Sequence, residues 1–317
     1  PARQRATPAI RSSIRLTSEG PDMTSHVPAH ASAAPAHPAP ARTAVGTAPR
    51  PAGPRIQGRQ TILRSVRAEW IKLWSLRSTW ITSFIAIALT VLFGAGIAIA
   101  SGQRPEGQES AKDLITTGLA FGQIVVSVLG ALVITGEYAS GQIRSSLAAV
   151  PRRGQLLLSK AVVLAIVSFL LGSLSVFLSW AISKPFLGEH AGSLTDAHYA
   201  GYIWGSGLVF AGIALMTLGI GFLLRSTAGA ITVVVSLLFV ILLPLQLAAG
   251  QWNWVNKIIN FLPISVSSAV SDPLPEAAQS SAEGAQFLTH GQSIAVFAAW
   301  ALIPLIAAWF VFSRRDA

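Results

Sequence analysis

Few side chains in this 317-residue chain carry reactive chemistry. Cysteine is absent, which removes disulfides, thiolate metal sites and cysteine nucleophiles. Ser206, in Trp204-Gly205-Ser206-Gly207, is placed as an intramembrane serine nucleophile would be. Such a serine needs a base, and none of the apolar segments contains a histidine. His26, His30 and His37 suggest a metal tract, but in Ala/Pro-rich sequence they read better as polar residues of a loose tail. Neither G-x-x-x-x-G-K-[ST] nor H-E-x-x-H occurs, so this chain alone is expected neither to hydrolyse ATP nor to be a zinc hydrolase. An enzyme would need a polar constellation facing a cavity, and beyond Ser and Thr the apolar segments offer Gln123 and Gln246. No cofactor or metal is expected on the chain itself.

The polar chemistry that remains is concentrated in residues 136–161, GEYASGQIRSSLAAVPRRGQLLLSKA. Glu137 and Tyr138 close an apolar segment, and Gly141 permits a turn. Residues 142–150 have the pattern of a short helix with Ile143 and Leu147 on one edge and Arg144 beside them. Pro151 stops that helix, and Arg152, Arg153 and Lys160 mark a membrane interface. An exposed short helix with an apolar edge suits docking of a partner. A basic loop that only sets topology fits the residues equally well.

The elements around this loop are set by composition. The chain is 52% hydrophobic and 11% charged, with a mean hydropathy of +0.56. Soluble domains carry about 25% charged residues, so lipid is the expected solvent. Six stretches reach the roughly 20 apolar residues that a bilayer core of about 30 Å requires. They run over about 79–100, 114–135, 159–183, 201–224, 228–249 and 293–313. Backbone groups in lipid must bond within their own segment, so these are expected helices. Arg225-Ser226-Thr227 is a tight hairpin between the fourth and fifth. The spans hold no ionisable residue in their interiors, which argues against proton- or ion-coupled transport.

Lys and Arg near the span ends are distributed eleven to four in favour of the side that carries the N-terminus. The positive-inside rule then puts both termini in the cytoplasm of a cell membrane. The net charge of +10 and pI near 11 follow from these loops and a basic tail, and no nucleic-acid partner is expected. Ahead of the first span, TILRSVRAEWIKLWSLRSTW repeats Ile62, Val66, Trp70, Leu73 and Trp74 at helical spacing. This predicts an amphipathic helix lying on membrane lipid, anchored by Trp70, Lys72 and Trp74. The long loop at 250–292 predicts a short outer helix around Trp252, Val255, Ile259 and Leu262, followed by an irregular polar stretch. Gly118/Gly122 and Gly201/Gly205 form G-x-x-x-G pairs, expected to pack helices within one chain. Residues 1–60 are rich in Ala, Pro and Arg and are expected to be a disordered cytoplasmic tail. Within it Met23 is the expected start, with residues 1–22 upstream translation.

Residues 61–317 resemble the type-2 permease subunits of ATP-binding-cassette exporters. The resemblance rests on Glu137, Tyr138, Gly141, Ile143, Arg144, Pro151, Arg153 and Lys160, which follow the family's first cytoplasmic loop. EWIKLWSLRSTW looks like the family's connecting helix, and the six-span count also fits. Gln142 departs from the Thr or other small residue common in the family. The fold implied is an all-α membrane domain of six spans with an interfacial helix, a coupling helix and a short outer helix. The function implied is the pathway of a bacterial exporter, powered by a separate ATPase that holds ATP and magnesium. Two ATPase copies and a second permease chain, the same or different, complete the unit. The resemblance makes Gly141 to Val150 the docking helix, with Glu137 tying the second span to its neighbours. The alternative is a membrane structural or assembly protein that transports nothing.

Overall fold

The computed structural model describes residues 61–150, 152–272 and 288–314. The expected tail, Pro151 and the polar stretch at 273–287 lie outside the described residues. Every regular element among those described is helical.

Six helices are long and apolar enough to cross a membrane, at Arg77–Gly102, Lys112–Ser140, Arg153–His190, Tyr199–Leu224, Thr227–Ala249 and His290–Arg314. Each brackets one predicted span. Ahead of them α1 (Ile62–Ser75) is a separate helix, because Leu76 takes an extended conformation before α2 (Arg77–Gly102) begins. Short helical turns, including α3 (Gln108–Ala111), lead into α4 (Leu119–Ser140). Gly141 adopts φ 72°, a left-handed turn that costs glycine nothing, and reverses the chain into α5 (Gln142–Ala149). The third span, α6 (Arg153–Leu187), has 35 residues and is about 52 Å long. It overshoots a bilayer core of about 30 Å by several turns.

The centre of the bundle is α7 (Ala197–Leu224), which packs on α4, α6 and the last helix. Close approach is made by small residues. A Cβ on Gly118 would stand 1.9 Å from the Thr90 carbonyl oxygen, and one on Gly122 would stand 2.2 Å from Thr90 Oγ1. A Cβ on Gly205 would lie 2.6 Å from the Val270 carbonyl. These glycines serve packing within the chain, as expected for small-residue motifs.

The hairpin at 225–227 leads to α8 (Thr227–Val235), where Ser226 caps by accepting from the Gly229 N–H at 3.2 Å. A π-helical turn at Ser236–Val240 then precedes α9 (Leu242–Ala249). Pro244 lacks an N–H, and the widened turn before it absorbs the interrupted ladder. One short helix is expected next, and two are present: α10 (Asn253–Phe261) and α11 (Pro263–Ser271). The first lies largely exposed. The second turns inward, burying Pro263, Val266, Ser267 and Val270 against α7 and α12 (His290–Arg314). Its serines donate to carbonyls three residues back, Ser267 to Ile264 at 2.8 Å and Ser271 to Ser268 at 2.9 Å, so polar residues enter the bundle satisfied.

Candidate functional site

The end of the bundle where α1 meets α6 carries a buried cluster of charged side chains. Lys160 lies two turns into α6, and its side chain is wholly buried. Burial of an ammonium is costly unless it is paired and hydrogen-bonded. Here Lys160 Nζ donates to Glu69 Oε2 of α1 at 2.8 Å and to Glu137 Oε1 of α4. Lys72 of α1 donates to the same Glu137 oxygen. Two lysines and two glutamates from three helices thus form one neutral cluster. Glu137 sits four residues before the Gly141 turn, so the cluster adjoins the root of α5.

Neighbouring contacts extend this tie around the end of the bundle. Gln155 Nε2 donates to Ser65 Oγ at 2.9 Å, a second link from α6 to α1. Arg153 Nη1 donates to the Phe312 carbonyl at 3.1 Å and lies over the Phe312 ring, which joins α6 to α12. Arg225 has φ 53°, rarely adopted by a residue with a side chain, and its guanidinium sits 5.0 Å from the centre of the Tyr138 ring. Thr227 Oγ1 donates to Thr135 Oγ1 at 2.7 Å, so the α7–α8 hairpin is also fixed to α4.

The chain belongs to the ABC-2 family of transporters. A model of the family described as ABC-2 family transporter protein matches residues 65–244, more than half of the chain. No curated protein matches it. The matched stretch runs from α1 into α9 and includes the whole cluster. An ABC-2 permease is a membrane component of a transporter, and the family implies an ABC ATPase partner in general.

Within this ABC-2 fold, the expected residues fall into two groups. Glu137, Tyr138, Gly141, Arg153 and Lys72 come together at one end. Ile143 differs from the outward-facing edge expected of it. It is 6% exposed and packs into the core, with Leu147 half-buried beside it. An eight-residue helix with two large apolar residues anchors itself with them, leaving Gln142, Arg144, Ser145, Ala148 and Ala149 outside.

Helix α1 differs in a related way. Val66, Trp70 and Leu73 of its apolar stripe pack against α6 around Val163 and Val167. Trp74 remains exposed, its ring 5.7 Å from that of Trp70. Lys72, expected as an anchor on lipid, and Glu69 reach into the cluster instead. Sequence reasoning missed Glu69 and the burial of Lys160. A lysine and a glutamate 91 residues apart leave no local signal of their pairing.

Ser206 donates to the Tyr202 carbonyl of its own helix at 2.6 Å and is fully buried. Gln123 Nε2 donates to Ser267 Oγ at 3.4 Å, which ties α4 to α11. Both polar groups are used in helix packing.

Proposed function

We propose that this ABC-2 permease exports an amphiphilic substrate, a drug-like, antibiotic-like or lipid-like molecule, using an ATPase that docks on α5. The observation that carries the reading is the neutral Glu69–Lys72–Glu137–Lys160 cluster at the root of α5. It supports transmission of force. A push on α5 reaches α4 through the Gly141 turn, and Glu137 shares its load with α1 and α6 through charge-assisted hydrogen bonds. The apolar spans suit a substrate without fixed charge. ATP and magnesium bind the partner, in two copies, and a second permease chain, identical or different, completes the pathway. The bias of cations supports a topology with α5 and both termini on the cytoplasmic side of a bacterial plasma membrane.

The exposed residues Arg144, Ser145 and Ala148 form the face offered to the ATPase, while Ile143 and Leu147 hold the helix on the bundle. Co-expression with an ABC ATPase tests this. The native chain is expected to retain the ATPase through purification, and Arg144→Glu/Ala148→Glu to lose it while unfolding like the native chain. Full retention and unchanged transport in that variant reject docking on α5. Failure of the folded native chain to retain any ATPase favours a structural role instead.

A further inference from the structure

An apolar groove opens on the outside of the bundle between α1, α2 and α6, with a cavity volume of about 310 Å³. Leu73 and Trp74 of α1 line the end nearest the start of α2. Trp80, Phe84 and Ile87 form one wall, and Leu170 and Leu174 of α6 form the other. Ser83 leaves the space between Trp80 and Ile87. Trp80 is held across the corner by donating from Nε1 to the Trp74 carbonyl at 3.0 Å, with the two rings 4.7 Å apart.

We propose that this groove holds one acyl chain of an anionic phospholipid, with its headgroup over Arg77. Three observations select this occupant. From Trp80 to Ile87 the groove follows two turns, about 10 Å of helix, which is the greater part of one leaflet of a core about 30 Å thick. The end nearest the start of α2 is lined by two tryptophans, Trp74 and Trp80, side chains that settle at the headgroup level. Arg77 begins α2 two turns before Phe84, on the same helix face, so a basic residue is placed at the tryptophan-lined end of the apolar slot. Charge favours an anion there for a second reason. Leu76 supplies no capping side chain, and the positive end of a 26-residue helix lies at the same end of the groove. On α1 the carboxylate of Glu69 is committed to Lys160, so it does not oppose a phosphate.

The assay is quenching of tryptophan fluorescence by bromine-labelled acyl chains in phosphatidylcholine vesicles holding the full chain. Brominated phosphatidylglycerol is compared with brominated phosphatidylcholine at equal mole fraction. The groove signal is the difference between the native chain and Trp74→Phe/Trp80→Phe. Apparent association is expected to be about fivefold stronger for the anionic lipid, the effect of one basic residue beside an acidic headgroup. Arg77→Gln is expected to bring the ratio close to one, and Ser83→Phe, which fills the slot, to abolish the groove signal. Circular dichroism confirms that each variant keeps native helix content. A ratio near one in the native chain, or a ratio unchanged by Arg77→Gln, overturns the proposal. So does a disulfide between two Ser83→Cys chains, which lack any other cysteine, because the groove would then face a second copy.

Discussion

Replacing Lys160 by Met removes one ammonium and leaves two carboxylates facing each other. Lys160 Nζ is 2.8 Å from Glu69 Oε2 and also contacts Glu137 Oε1, so these oxygens lie within a few ångströms of each other. Lys72 still neutralises Glu137, but its side chain is 29% exposed and it reaches only the Glu137 side. Removing one partner of a buried ion pair costs about 3–5 kcal/mol. Repulsion between two unit charges about 4 Å apart at an effective dielectric of 20 has the same size, about 4 kcal/mol. Glu69→Gln alone loses one charged hydrogen bond, worth about 1.5–3 kcal/mol. In Lys160→Met/Glu69→Gln the repulsion is gone and Lys72 still pairs with Glu137. The double variant is therefore expected to be about 2 kcal/mol more stable than additivity predicts, within the range for residues in one network. Equilibrium unfolding in mixed micelles measures all three, with exposed Arg152→Gln as a control expected within about 0.5 kcal/mol of native. Additive single-variant effects, or a Lys160→Met variant as stable as the control, refute the buried cluster.

Two further outcomes test helix contact and the turn into α5. Gly118→Ala puts a Cβ about where the Thr90 carbonyl stands and is expected to cost about 1–3 kcal/mol or more, whereas Gly136→Ala meets nothing and is expected to be neutral or to gain about 0.5–1 kcal/mol. The same unfolding assay reads both. Gly141→Ala forces a side chain into a left-handed turn at a cost of about 1–2 kcal/mol, so amide exchange over residues 142–149 is expected to accelerate about 5–30-fold. Exchange as slow as native would mean that the turn does not restrain α5.

The sequence revealed the spans because lipid imposes one requirement on all of them, an apolar run whose backbone bonds to itself. The same simplicity hid which faces meet protein. Val66, Trp70 and Leu73 have the periodicity of a helix lying on lipid, yet they pack on α6, because protein and lipid interiors are equally apolar. Ile143 and Leu147 show the matching ambiguity at smaller scale. Their spacing signals a buried edge without saying whether the partner is another protein or the chain itself. Helix α11 was illegible for the opposite reason. ISVSSAVS has no long apolar run, and only the local bonds of its serines make its burial tolerable.

The cluster also bears on the charge argument that orients the chain. Lys72 and Lys160 are two of the eleven cations on the proposed cytoplasmic side, yet both are neutralised by glutamates from other helices. The positive-inside rule rests on loop cations near span ends as the chain inserts, before tertiary pairs can form. Setting both lysines aside leaves nine against four, so the orientation does not depend on them. Arg64, Arg67, Arg77, Arg144, Arg152 and Arg225 are among the nine, and all of these six except Arg67 stand within two residues of a helix end. The same charges therefore divide into two tasks. The arginines near helix ends favour one orientation, and the paired lysines join helices once that orientation is reached. Exchanging Lys160 should change stability without changing topology.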